Sequence, residues 1–259
     1  MYAFDIERPS TVADAAGALS GEAQALGGGQ TLIPTLKARL ASPSKLVLLS
    51  GVAEMQGISR AGGVLTIGGS TTHADVAADG SYKALSDLAS RIGDPAVRNR
   101  GTIGGSIANN DPAACYPAAA LGSGAVIVTN TREIAADDFF QGMFETALDE
   151  GEIVTAVRFP IPDKANYQKF VQPASRFALV GVFVAKSGTG VRVAVTGASN
   201  EGVYRWVAAE EALSANFAPA ALDGLTVSSD DLISDLHGSA DYRAHLVKVM
   251  TGRAVAAAS

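Results

Sequence analysis

The 259-residue chain has one cysteine and three histidines. A single thiol, Cys115, excludes an internal disulfide framework and any iron–sulfur cluster held by the chain's own thiolates. His73, His237 and His245 show no metal-ligand spacing such as H-E-x-x-H. Positive charge is also scarce. Twenty Lys and Arg against 26 Asp and Glu leave a net charge of −6, with no basic stripe for nucleic acid. The longest apolar stretch, about 113–128, is broken by Pro117, Gly122 and Gly124, so it predicts no membrane span. The first ten residues contain Asp5, Glu7 and Arg8 and lack the apolar core of a secretion signal. Together these absences predict a soluble, cytoplasmic protein.

Apolar residues make up 47% of the chain and charged residues 18%, a balance that argues against disorder. The length suits one large domain or two ordinary ones. Thr11 or Ser10 can cap a helix reaching 19, and 23–26 reads as a strand. That strand runs into Gly27-Gly28-Gly29-Gln30-Thr31. Pro34 suits the first turn of a helix continuing to 40, and 46–49 reads as a buried strand. Further strands are expected at 64–67, 125–128 and 153–159, with helices starting near His73 and spanning about 82–92. Residues 93–117 carry few helix or strand signals. Pro160 and Pro162 mark a boundary. Beyond it, 167–171, 177–186 and 191–197 read as successive antiparallel strands, and 240–257 as a closing helix with Val247, Met250 and Ala254 on one face. The expected fold class is α+β: a domain over 1–160, with subdomains of about 1–52 and 53–160, and a C-terminal α+β domain over 161–259.

Two glycine clusters carry the chemical signal: Gly27 to Thr31, and Thr102-Ile103-Gly104-Gly105-Ser106. Glycine lets a ligand approach the main chain, and successive free amides make a nest for phosphate oxygens, helped by a following helix N-terminus. Thr31, Thr102 and Ser106 add hydroxyls. Neither cluster has the G-x-G-x-x-G or G-K-[ST] spacing, so neither a Rossmann fingerprint nor a P-loop applies. Either cluster alone reads as an ordinary tight turn; two together point to a shared ligand. No acid–base pair or Ser/His/Asp arrangement stands out, which suits a protein whose cofactor does the chemistry.

Residues 27–40 (GGGQTLIPTLKARL) and 101–117 (GTIGGSIANNDPAACYP) resemble the two signature loops of the FAD-binding medium subunit of molybdenum hydroxylases. This is the family of the carbon monoxide dehydrogenase medium chain and the xanthine dehydrogenase flavin domain. Further matches are 67–75 (IGGSTTHAD), 94–100 (DPAVRNR) and 172–180 (QPASRFALV), so the resemblance runs through nearly the whole chain in order. It implies the two-subdomain FAD-binding fold of the vanillyl-alcohol oxidase (PCMH) type, with a C-terminal α+β domain. It also implies noncovalent FAD with Gly27 to Thr31 and Thr102 to Ser106 around the pyrophosphate and Leu26 and Leu32 beside them. Thr71, Asp111, Cys115, Ile153, Gln172 and Phe177 complete the cofactor-binding set that it suggests, with no catalytic and no metal-binding residue. The implied function is electron transfer from a small 2Fe–2S subunit, through FAD, to an external acceptor. A large molybdopterin subunit would complete a heterotrimer or its dimer. A stand-alone flavin oxidase or reductase of the same wider fold is the alternative.

Several positions depart from the family pattern or admit two readings. Cys115 stands where relatives often have Asp; it is either a redox thiol near flavin or a small packed residue. Phe177 stands where they often have Tyr, and is either an aromatic face for the flavin ring or plain core. His73 invites comparison with histidines that attach FAD covalently, but a histidine that positions a loop is the simpler reading. Asp94, Arg98 and Arg100 either brace the second loop or meet a partner.

Overall fold

The computed structural model of the protein describes residues 1–258, and its first fifty residues form a parallel unit. Strands β1 (Asp5–Glu7), β2 (Ala23–Leu26) and β3 (Lys45–Leu48) pair in the order β1-β3-β2. The crossovers are α1 (Val12–Ala18) and α2 (Leu32–Lys37). Thr11 caps α1, its hydroxyl accepting from the Asp14 amide at 3.1 Å. Helix α2 stops at Lys37, three residues short of the sequence expectation, because Arg39 takes a positive φ of 60° and turns the chain. Ala15, Ala18, Val47, Leu49, Val52 and Met55 form this unit's small core, which Ile153 joins from far along the chain.

The second unit is an antiparallel sheet in the order β4-β5-β10-β6-β7. Its strands are β4 (Ile58–Ala61), β5 (Val64–Gly68), β6 (Val126–Thr129), β7 (Glu133–Ala135) and β10 (Val154–Pro160). Between β5 and β6 come α3 (His73–Asp79), α4 (Lys83–Ser90), α5 (Pro95–Arg98), α6 (Ile103–Asn109) and α7 (Tyr116–Ser123). A capping box starts α3, with Thr72 and Asp75 exchanging side-chain and backbone bonds. Helix α4 buries Ala84, Leu85, Leu88 and Ala89, the face that helical spacing predicts. Between β7 and β10 lie α8 (Ala136–Phe139) and a small hairpin of β8 (Phe140–Gly142) and β9 (Glu145–Thr146).

Residues 93–117 correct the sequence reading: they contain α5, α6 and the start of α7. Their signals are local caps rather than periodicity. Asp94 caps α5 with Pro95 in its first turn, and the Thr102 hydroxyl accepts from the Gly105 amide to cap α6. Glycine-rich and alanine-rich helices of four to eight residues have little intrinsic stability, so burial holds them. Pro117 to Gly122 of α7 are all buried.

The last sheet is an antiparallel meander of β11 (Lys164–Val171), β12 (Ala178–Ser187), β13 (Gly190–Ser199) and β14 (Gly202–Arg205). Strand β14 went unread in the sequence, and β12 and β13 run to ten residues each. Both faces of this sheet are covered. Alternation sends Val180, Val182, Val184, Val193 and Val195 toward α9 (Val207–Ala215) and α10 (Ala240–Ala257). It sends Tyr167, Phe183, Ala185 and Ala194 into the core of the second unit. Residues after 160 therefore share one continuous core with those before it.

Arg243 on α10 ties that sheet together. It is 1% exposed and donates to Leu179 O (2.8 Å), Gly197 O (2.7 Å) and Asp235 Oδ1 (2.8 Å). Removing it strands two buried carbonyls and leaves Asp235 without its cation. Arg243→Met is expected to lower unfolding free energy by about 3 kcal/mol, a typical cost of breaking a buried pair. Urea denaturation followed by far-UV circular dichroism checks this; an unchanged midpoint contradicts it.

Candidate functional site

A cleft of about 620 Å³ opens where the three sheets meet. Leu26, Gly27, Gly28, Gly29, Gln30, Thr31 and Leu32 line it from the turn between β2 and α2. Thr102, Gly104, Gly105 and Ser106 line it from the first turn of α6, Asp111 and Cys115 from the α6–α7 link, Ile153 from just before β10, and Phe177 from the β11–β12 loop. These residues come from four separated stretches of chain. The volume falls within the range of pockets that enclose a small organic ligand.

Three of the sequence-predicted site residues lie outside this wall. The Thr71 hydroxyl bonds both the amide and the carbonyl of Gly57 (3.0 and 3.1 Å), so it holds a turn. Ile103 is 0% exposed, packed in the central core, because the first turn of α6 faces β5 and β10. Gln172 shapes the β11–β12 loop: its side chain accepts from Ser175 Oγ at 3.2 Å and its amide bonds Phe177 O.

The two glycine clusters differ in what they offer. The amides of Gly28, Gly29, Gln30, Thr31 and Leu32 donate to no acceptor among the described residues. Gly29 has φ +75°, a left-handed backbone turn that glycine adopts without strain. In the second cluster four of the five amides are already used. Ile103 N bonds Thr71 O, Gly104 N bonds Gly69 O, and Gly105 and Ser106 donate to the Thr102 hydroxyl and carbonyl. The second cluster is thus a capped helical turn rather than a nest of free donors, which corrects the sequence reading. What it presents to the cleft is the bare surface of Gly105 and the Ser106 hydroxyl. The Thr31 and Ser106 hydroxyls have no partner among the described residues.

The glycines also let the clusters touch each other. A Cβ on Gly28 would overlap the carbonyl of Arg100, and one on Gly27 would sit 2.9 Å from Thr102 Oγ1. Gly104 packs against backbone from the other side, where a Cβ would come 2.6 Å from Gly69 O. Gly105 alone is exposed to the cleft, with only Thr102 Oγ1 at 3.0 Å from an added Cβ.

The second loop is braced from behind. His73 is 5% exposed; burial, and then Arg98, push its pKa down to about 4, so the imidazole is neutral at physiological pH. Its amide bonds Gly101 O at 2.9 Å, its Nε2 edge packs on Gly101, and its ring lies 5.3 Å from Tyr116. It positions the loop, as the simpler sequence reading has it. Arg98 donates to the carbonyls of Ile92 and Gly93 (3.0 and 3.1 Å), and Asp94 caps α5, so both brace rather than project. Phe177 is 46% exposed on the cleft, which removes the plain-core reading. Cys115 is 4% exposed with Lys169 Nζ at 3.4 Å. Asp111 accepts from the Ala113 amide at 2.8 Å; burial raises its pKa and that bond partly offsets the rise.

Sequence reasoning left Gly69, Ser70, Glu152, Lys169, Ser175 and Arg176 out of the site, and all line the cleft. Gly69, Ser70, Ser175 and Arg176 fall inside stretches that carry the family resemblance. Glu152 and Lys169 gave no signal, since one charged residue on a turn or strand looks like any other. Glu152 is held by Arg132 (3.0 Å), Thr129 and Thr131 (both 2.6 Å) and the Asp149 amide (2.8 Å), a network that drives its pKa far below the usual carboxylate range.

Two outcomes follow. Gly104→Ala is expected to destabilise by about 2 kcal/mol or more through forced overpacking, whereas Gly105→Ala is expected to leave the denaturation midpoint nearly unchanged; equal losses for both would contradict the packing described. Glu152 contributes stability above its unfolded pKa of about 4.3, and that contribution fades as pH falls toward its depressed folded value. Midpoints of the wild type and Glu152→Gln should therefore differ at neutral pH and draw together as pH falls below about 4; a gap that widens in acid would refute the assignment.

Residues 2–162 match the family model described as the FAD binding domain in molybdopterin dehydrogenase. The carbon monoxide dehydrogenase medium chain of Afipia carboxidovorans is 32% identical, with 97% of this chain and 95% of that protein covered. The nicotine 6-hydroxylase medium subunit of Paenarthrobacter nicotinovorans is also 32% identical, covering 95% and 94%. Among solved structures, reconstituted CO dehydrogenase from Oligotropha carboxidovorans superposes with a TM-score of 0.88 at 31% identity, covering 98% of this chain and 97% of that one. The chain belongs to the FAD-binding family of molybdopterin dehydrogenases and is a flavoprotein subunit of an oxidoreductase.

Proposed function

We propose that this chain is the electron-transfer subunit of a cytoplasmic molybdenum hydroxylase, passing electrons from a small 2Fe–2S partner, by way of FAD, to an external acceptor. The observation that carries the reading is the run of five amides, Gly28 to Leu32, that have no partner among the described residues and line the same cleft as the bare Gly105 surface. Such a run suits a pyrophosphate without any lysine, because aligned amides supply the positive field. The Thr31 and Ser106 hydroxyls would add donors, and Leu26, Leu32 and Ile153 would supply apolar wall. The exposed ring of Phe177 offers an aromatic face at the C-terminal sheet, and Asp111 an acceptor for a cofactor hydroxyl.

When bound, FAD supplies reversible one- and two-electron transfer. The protein's own part is to bind, orient and exclude water. His73 is neutral and buried, and Glu152 is committed to Arg132 and two threonines. Among the described residues no group of three His, Cys, Asp or Glu could hold a metal ion. Hydroxylation of a substrate is therefore assigned to a molybdopterin partner, and electron entry to an iron–sulfur partner. A stand-alone flavin oxidase or reductase would need its own proton donor in the cleft.

Gly105→Asp is expected to weaken FAD binding at least tenfold, since it sets a carboxylate against an anionic pyrophosphate at a position where the fold tolerates a side chain. Isothermal titration of the apoprotein measures this; unchanged affinity in a folded variant would sink the site assignment. The flavin of the purified chain should be reducible by dithionite but not by hydroxylase substrates. Coexpression with neighbouring iron–sulfur and molybdopterin chains should yield a complex in which substrate does reduce it. Substrate-driven reduction by this chain alone would instead establish the stand-alone enzyme.

A further inference from the structure

We propose that Cys115 and Lys169 form an oxidative covalent cross-link that latches the C-terminal sheet to the wall of the cleft. Lys169 Nζ donates to Cys115 Sγ at 3.4 Å and to Arg91 O at 3.1 Å. Both residues line the cleft, so a small oxidant entering it reaches the pair. The two groups belong to different layers: Cys115 precedes α7 in the second unit, and Lys169 lies on β11 of the last sheet.

A third side chain points to the same spot. Tyr167, two residues from Lys169 on β11, is 1% exposed and its hydroxyl has no hydrogen-bond partner among the described residues. Its neighbour is the Cys115 thiol. A buried hydroxyl without an acceptor is costly, and an oxygen added to Sγ would supply one. The backbone around the pair is fixed. Arg91 donates back to Tyr167 O at 3.2 Å, and the Thr196 hydroxyl bonds Pro112 O and Ala114 O, both at 2.8 Å. Thiol and amine are thus held together by a frame that does not depend on their own contact.

The chemistry needs one two-electron oxidant, hydrogen peroxide, which forms when a reduced flavin meets dioxygen. The sulfur attacks peroxide and the O–O bond breaks. Cys115 becomes a sulfenic acid, losing two electrons, and one water leaves. The chain has no second thiol to trap that species, so the nucleophile within reach is the Lys169 amine. After releasing a proton to water, it attacks the sulfenyl sulfur. The S–N bond forms, the S–O bond breaks, and the oxygen leaves as a second water. In sum, thiol, ammonium and peroxide give a sulfenamide, two waters and a proton. Thiol reductants reverse it.

The full-length chain, with and without added FAD, is treated with stoichiometric hydrogen peroxide and digested with trypsin without reductant. Mass spectrometry should find the Cys115 and Lys169 peptides joined, at the sum of their masses less two hydrogens, with cleavage after Lys169 lost. Dithiothreitol should restore both peptides. The linked species should vanish in Cys115→Ser and in Lys169→Arg, and form more slowly in Tyr167→Phe. Wild-type Cys115 that ends as a sulfinic acid, with trypsin still cutting after Lys169, overturns the proposal, and this result does not require any variant to fold. The measurement does not depend on FAD occupancy, so its failure is distinct from failure of the cofactor reading.

Discussion

The contact between two glycine turns, backbone against backbone, is the constraint on which the site depends. Gly28 lies against Arg100 and Gly101, and Gly27 against Thr102. A single Cβ at Gly28 would force the loops apart. Each loop braces the other, and the Gly28–Leu32 amides are left without an acceptor among the described residues. Gly104 carries the same constraint one layer deeper, against Gly69. The glycines are therefore divided in duty: most allow protein to approach protein, and Gly105 leaves room for a ligand.

The C-terminal sheet closes the site from the other side. Thr196 and Gly197 bond Pro112 and Ala114, which fixes the segment carrying Asp111 and Cys115. Strand β11 brings Lys169 to the same segment, and the loop that follows brings Phe177. One face of this sheet is core for the second unit and the other is core for α9 and α10. The cleft wall is thus coupled to the packing of the whole second half of the chain.

Much was legible before the structure. Periodicity and caps marked α1, α3, α4, α10 and the first three strands of the last sheet, and the paired glycine clusters marked the cleft. Residues 93–117 were not legible as helices. Helices α5 and α6 are too short for a periodic pattern, and α7 is apolar all round, so nothing but burial distinguishes it from a strand or a loop. Ile103 lies outside the cleft wall for a related reason: Thr102 to Ser106 form a helical turn whose side chains point in several directions, and that of Ile103 points inward.

By itself the sequence determined the glycine clusters, the absence of thiolates for a cluster, the order of most elements and the family pattern that joins them. These are local or compositional properties, readable one segment at a time. Only the tertiary structure decided which amides stay free, which glycines touch protein rather than ligand, and that Glu152 and Lys169 stand in the cleft at all. Those depend on contacts between residues tens of positions apart, such as Gly28 on Arg100 and Lys169 on Cys115, and no local preference specifies such a distance.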